Sequence, residues 1–103
     1  MSTTTHVLAS PIQAHGDELK ELSLRRPTPQ EVRNIKMLPY VLGEDNRPVA
    51  EADVAAKYIG VCAGIPPSSV NQLDLSDFNH LVWMVIGFFL SPAKAPDSEA
   101  SSS

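Results

Sequence analysis

Apolar side chains recur at changing intervals along this chain, and each change of interval marks a new element. In Leu19–Arg25, Leu22 and Leu24 alternate with Glu21, Ser23 and Arg25, the period of a half-buried strand. Val7–Ile12 reads as a second strand, in which Leu8, Ser10 and Ile12 alternate less cleanly. Between them, Ala14-His15-Gly16-Asp17 makes a turn, with Gly16 free to take positive φ. Leu19 falls out of phase with Leu22, which predicts a bulge or a later strand start. A two-stranded hairpin is marginal alone, so this one must lean on helices.

The period then lengthens to that of a helix. Thr28 is placed to cap a first helix, with Pro29 at its first position and Glu31 closing a capping box. Val32, Ile35 and Leu38 form its apolar stripe, and Pro39 is expected to end it near Leu38. Tyr40–Arg47, with Gly43, Glu44, Asp45 and Asn46 clustered, reads as a loop. Pro48 is expected to open a second helix running to about Ala63, with Val54, Ala55, Tyr58, Val61 and Cys62 on one face and Gly64 as terminator. Ser68–Gln72 reads as a single helical turn. A last helix starts around Asp74–Asp77, where Asp74 caps and Asp77 adds first-turn negative charge favoured by the helix dipole.

That last helix ends unusually. Leu81–Leu90 carries no charge and no strongly polar group. A helix that is apolar on every side must be buried in something. The run is too short to span a bilayer, which needs about 20 residues. Phe78, Val82, Val85 and Phe89 are the expected inward stripe. Trp83, Ile86, Phe88 and Leu90 are then left for a partner or a second copy of the chain. The expected fold class is α+β, an N-terminal β-hairpin packed on about three α-helices.

Composition narrows this picture. At 103 residues the chain is one small domain. Residues 1–5 are expected to be a flexible start, 6–90 the folded unit and 91–103, SPAKAPDSEASSS, a disordered tail without large apolar side chains. The net charge of −4 disfavours nucleic acid as the main partner. Arg25, Arg26, Arg33 and Lys36 are nevertheless half of the eight basic residues, gathered in one short stretch. They read as a solvated helix rim or, together, as a contact patch for an acidic partner surface, with Arg25, Arg26 and Arg33 the candidate binding residues. A single cysteine, Cys62, excludes an internal disulfide and sits among Ile59, Val61 and Ala63 as a small apolar side chain. The start MSTTTHVLAS lacks the features of a signal peptide, which fits a cytosolic setting. Neither the scattered glycines nor the spacing of His6, His15 and His80 suggests a phosphate loop or a metal site, so no catalytic residue, metal or cofactor is expected.

The ordered features together are similar to a known family. They run from Pro11-Ile12, through Leu22-Ser23-Leu24-Arg25-Arg26-Pro27-Thr28, to Ala63-Gly64-Ile65-Pro66. Val70, Leu73-Asp74-Leu75-Ser76-Asp77 and Gly87-Phe88-Phe89 follow. This set, covering most of Val7–Phe89, resembles the small tail assembly chaperones of contractile-tailed (Mu-like) phages and prophages. The resemblance implies a non-enzymatic chaperone that binds the tape measure protein and keeps it soluble in the host bacterial cytoplasm. It also implies a longer frameshifted form that reaches the tail tube protein, and the apolar last helix adds the expectation of a homo-oligomer. The competing expectations are a structural component of a tail tube or ring and a small DNA-binding regulator using the basic first helix.

Overall fold

The computed structural model describes residues 3–91. The chain forms a long antiparallel hairpin of β1 (Thr3–Ala14) and β2 (Asp17–Arg25), followed by helix α1 (Pro29–Ile35). A small second hairpin, β3 (Tyr40–Leu42) and β4 (Pro48–Ala50), leads into α2 (Ala52–Ala63), the one-turn α3 (Pro67–Val70) and α4 (Leu75–Leu90). The class is α+β, as expected. The segment from Pro92 onward, expected to be a tail, lies outside the described residues.

The long hairpin turns on His15 and Gly16, both at positive φ (55° and 81°), the two-residue geometry that suits the strand twist. Pairing runs Ala14↔Asp17 to Ile12↔Leu19, breaks, and resumes from Val7↔Glu21 to Thr3↔Arg25. On β1 the break spans Leu8–Pro11, while Lys20 alone faces it on β2. The bulge foreseen from the phase of Leu19 is therefore carried mainly by β1. Its odd offset lets Leu19 and Leu22 both serve the inner face. Thr3–Thr5, expected to be flexible, are part of the strand, and Thr5 Oγ1 meets Ser23 Oγ across it at 3.0 Å.

The capping box of α1 is present: the Thr28 hydroxyl accepts from the Glu31 N–H, and the Glu31 carboxylate accepts from the Thr28 N–H at 2.9 Å. The helix stops earlier than Leu38, because Lys36 turns left-handed (φ 74°) and its N–H closes on the Val32 carbonyl. The expected Tyr40–Arg47 loop and helix start at Pro48 are corrected by the second hairpin. Val41 pairs with Val49 and Leu42 with Pro48, around a turn in which Asn46 takes φ 63°. Pro48 here begins an outer strand, where no N–H is required of it. Gly64 ends α2 at φ 72°, and the Asp74 carboxylate caps α4 by accepting from the Ser76 N–H.

The inner face of the long hairpin packs on α2, and α2 packs on α4. Ile12, Leu24, Tyr58, Ile59, Leu81, Val85 and Ile86 form the centre of the core. Within α2 the inward face takes Ile59 and leaves Val61 half-buried. In α4 the inward face is broader than the expected stripe. Leu81 and Ile86 join Val82 and Val85, while Phe78 and Phe89 are partly buried. Ile86, expected to face a partner, is 1% exposed and belongs to the core.

Candidate functional site

The apolar end of α4 is only partly covered. Trp83 is 45% exposed and Leu90 51%. Positions 83, 87 and 90 share one helical stripe, so Trp83 and Leu90 flank the bare backbone of Gly87. A Cβ added at Gly87 would meet nothing within 4 Å. Trp83 and Leu90 leave this stripe an apolar strip open to solvent.

Around the helix from it lies a groove between α1 and the end of α4. It has a volume of about 450 Å³ and is lined by Arg26, Pro27, Val32, Arg33, Phe88 and Phe89. It continues past Val32 and Arg33 into a shallower pocket of about 220 Å³ beside Lys36, Met37 and Leu38. Aromatic contacts fix its wall: Phe89 sits edge-on to Tyr58 at 5.2 Å and to Tyr40 at 6.3 Å. The Tyr58 hydroxyl donates to the Met37 carbonyl at 2.5 Å, anchoring the segment after α1. Val32, Met37, Leu38 and Phe89 are not contact residues in the sequence pattern, whereas Lys36 belongs to the basic cluster noted there.

The basic cluster divides by role. Arg25 makes a two-pronged pair with Glu31, at 2.8 and 2.7 Å, and reaches the Val61 carbonyl at the end of α2. The guanidinium hydrogen bonds, with the Thr28 N–H second, hold the Glu31 carboxyl down at about 2. The same pair raises Arg25 above its ordinary value. Arg26 donates to the Phe88 carbonyl at 2.5 Å and the Ser91 carbonyl at 2.6 Å, and its guanidinium lies 5.6 Å from the Phe88 ring centroid. It thus closes the C-terminus of α4, where helix carbonyls lack N–H partners. Arg33 and Lys36 are exposed. Of the residues expected to meet a partner, Phe88, Arg26 and Arg33 share the groove. Trp83 and Leu90 share the adjacent strip, while Arg25 and Ile86 support the structure behind them.

A second polar cluster ties the bulge to α4. Asp77 is 3% exposed, and its carboxylate accepts from the Ala9 N–H at 3.0 and 2.8 Å and from the Ser10 N–H at 3.4 Å. The His6 Nε2–H donates to it at 2.9 Å, and the His6 ring stacks on His80 at 4.4 Å. Burial pushes the Asp77 carboxyl up, but the Ala9 N–H, His6 and the Ser10 N–H outweigh it and hold the group below the usual carboxylate range. Asp77 therefore neutralises strand N–H groups that the bulge strips of sheet partners. Sequence alone suggested only a dipole role for it.

The remaining reactive groups do not converge. Cys62 is buried in the core, and burial pushes its thiol up to about 11, which keeps it un-ionised and a poor nucleophile. Among the described residues no group of three or more His, Cys, Asp or Glu side chains is placed to hold a metal ion, and no helix is long and apolar enough to cross a membrane. A further concavity of about 660 Å³ lies along Ala56 and Gly60 of α2 beside Pro67 and Val70 of α3.

Comparison with known proteins finds no match among curated proteins and none among solved structures. Residues 5–90 match the family model described as phage tail assembly chaperone proteins, E, or 41 or 14. That span takes in the long hairpin from Thr5 onward, the groove and all of α4, and the chain belongs to the phage tail assembly chaperone family.

Proposed function

We propose that this chain binds the tape measure protein of its phage and keeps it soluble while the tail is assembled. The observation that carries the reading is the apolar strip of Trp83, Gly87 and Leu90 left open on α4. A long helical client exposes apolar stripes of its own before the tube forms around it. An open apolar helix face next to an apolar groove suits capture of such a segment side by side. Trp83, Phe88 and Leu90 supply the anchors, and Ile86, Arg25 and Arg26 hold the surface rigid from behind. In the same reading the chaperone acts in the host cytoplasm. It self-associates through the strip when no client is present, and it reaches the tail tube protein through a longer frameshifted form.

Co-expression tests it. The tape measure protein is expected to be soluble and to co-purify with the wild-type chain. It should fall into the insoluble fraction with the Trp83→Glu/Leu90→Glu double variant, whose half-exposed positions leave the fold intact by circular dichroism. Equal soluble yields with wild type and variant would overturn the role of the strip. Absence of any complex with the wild type would overturn the client assignment.

A further inference from the structure

The groove between α1 and α4 has an electrostatic character opposite to that of the molecule. The chain carries a net charge of −4, yet no acidic residue lines the groove or its extension, whereas Arg26, Arg33 and Lys36 all do. None of the ion pairs among the described residues involves these three cations. Arg25, the neighbouring cation, is already neutralised by Glu31. Between the charges the floor is apolar: Val32, Phe88 and Phe89, with Met37 and Leu38 more than 40% exposed at the far end. Uncompensated charge of one sign around an open apolar floor marks a surface built for a complementary partner.

The lining also restricts the occupant's backbone. No strand contributes to the lining, so the groove has no sheet edge for an extended peptide to pair with. A polypeptide seated there must satisfy its own backbone hydrogen bonds, which a helix does. We propose that this groove is the docking site for an amphipathic helix with an acidic edge: its apolar stripe covers Val32, Phe88 and Phe89, and its carboxylates meet Arg33 and Lys36. The inference rests on the client reading above insofar as the natural helix belongs to the tape measure protein. Arg26 is held by the α4 carbonyls and shapes the wall, so Arg33 and Lys36 select the edge charge.

Two synthetic helices with one apolar stripe, one edged with Glu and the other with Lys, are titrated against the full chain by fluorescence anisotropy. At low salt the Glu-edged helix is expected to bind about tenfold more tightly, a ratio that a few partly exposed ion pairs can supply. The gap should close as salt rises. Arg33→Glu/Lys36→Glu, at two exposed positions and compared once circular dichroism shows the fold retained, should reverse the preference. Equal binding of both helices, a preference for the Lys edge, or an unaltered preference in the double variant would overturn the proposal. So would tighter binding to duplex DNA or to phosphatidylserine vesicles, since the cations would then serve a phosphate surface. A matching co-purification separates the two readings. If the tape measure protein is retained equally by wild type and Arg33→Glu/Lys36→Glu, the groove assignment fails and the client stands. If the Glu-edged helix binds selectively but the wild type captures no tape measure protein, the client fails and the groove stands.

Discussion

Asp74 and Asp77 stand three residues apart at the same helix start, and the structure gives them unequal work. Asp74 caps α4 at the surface through the Ser76 N–H. Asp77 is buried and holds the bulge of β1 through Ala9, Ser10 and His6. Removing an exposed cap costs about 1 kcal/mol. Hydrogen bonds to a charged group contribute about 1.5–3 kcal/mol each, and those of Asp77 are part-buried. Urea unfolding should therefore rank Asp77→Ala as clearly more destabilising than Asp74→Ala, and equal losses would contradict the assigned role. Glu31 offers a pH test. Its folded carboxyl sits at about 2, below its ordinary value of 4.5. A depressed carboxyl stabilises the fold above its unfolded value, and the contribution disappears as pH falls from about 4.5 toward 2. The stability gap between wild type and Glu31→Gln should be full at pH 7 and shrink on acidification through that window. A pH-independent gap would show that the Arg25 pair contributes nothing through charge. Neither pairing was visible beforehand in full: Glu31 announced its cap to Thr28 three residues away, whereas the bond from Asp77 to Ala9 is a product of the tertiary fold.

Elements whose signals are local emerged correctly from the pattern of side chains. The turn at His15-Gly16, the capping box of Thr28 and the stop at Gly64 each lie within a few residues of their cause. The β3–β4 hairpin did not emerge, because strands of three residues are too short to show a period. Pro48 also imitates the first residue of a helix. The orientation of α4 was partly illegible for a different reason. A helix apolar all round has no phase to read, so Ile86 and Trp83 look alike until α2 is packed beside them. Two glycines test this element-level account. A Cβ at Gly60 would lie 3.0 Å from the Ile65 carbonyl oxygen, where the chain turns back along α2. A Cβ at Gly87 would meet open space. Gly60→Ala should lower the melting temperature, while Gly87→Ala should raise stability by up to about 1 kcal/mol, the usual gain in helix propensity. If Gly87→Ala also weakens capture of the tape measure protein, the bare backbone is part of the docking strip. A loss of stability at Gly87 would instead reveal packing on that side of the helix.

On the scale of the whole molecule, three elements share one core, and the rest of the chain dresses its rim. The long hairpin, α2 and α4 bury the large side chains, while α1 and the segment after it border the groove with the end of α4. The class and the order of the principal elements were legible because each needs its neighbours to bury a single face. The groove was not, since its lining comes from residues as far apart in sequence as Arg26 and Phe89. The double arginine at the end of β2 has one more consequence. Thr3 pairs with Arg25, and Arg26 donates to the Ser91 carbonyl, so both ends of the described chain arrive at adjacent residues. The two ends of the described chain are thus tied to the same pair of residues, one through the strand ladder and one through a side chain. A circular permutant of residues 3–91, joined by a short Gly/Ser linker and reopened in the exposed turn between Glu44 and Asp45, should recover the cooperative unfolding transition within a few degrees. Failure to fold would mean that the original ends organise the structure as it forms; success would provide a version whose two free ends lie beside the second hairpin, with Arg25 and Arg26 enclosed in a continuous chain.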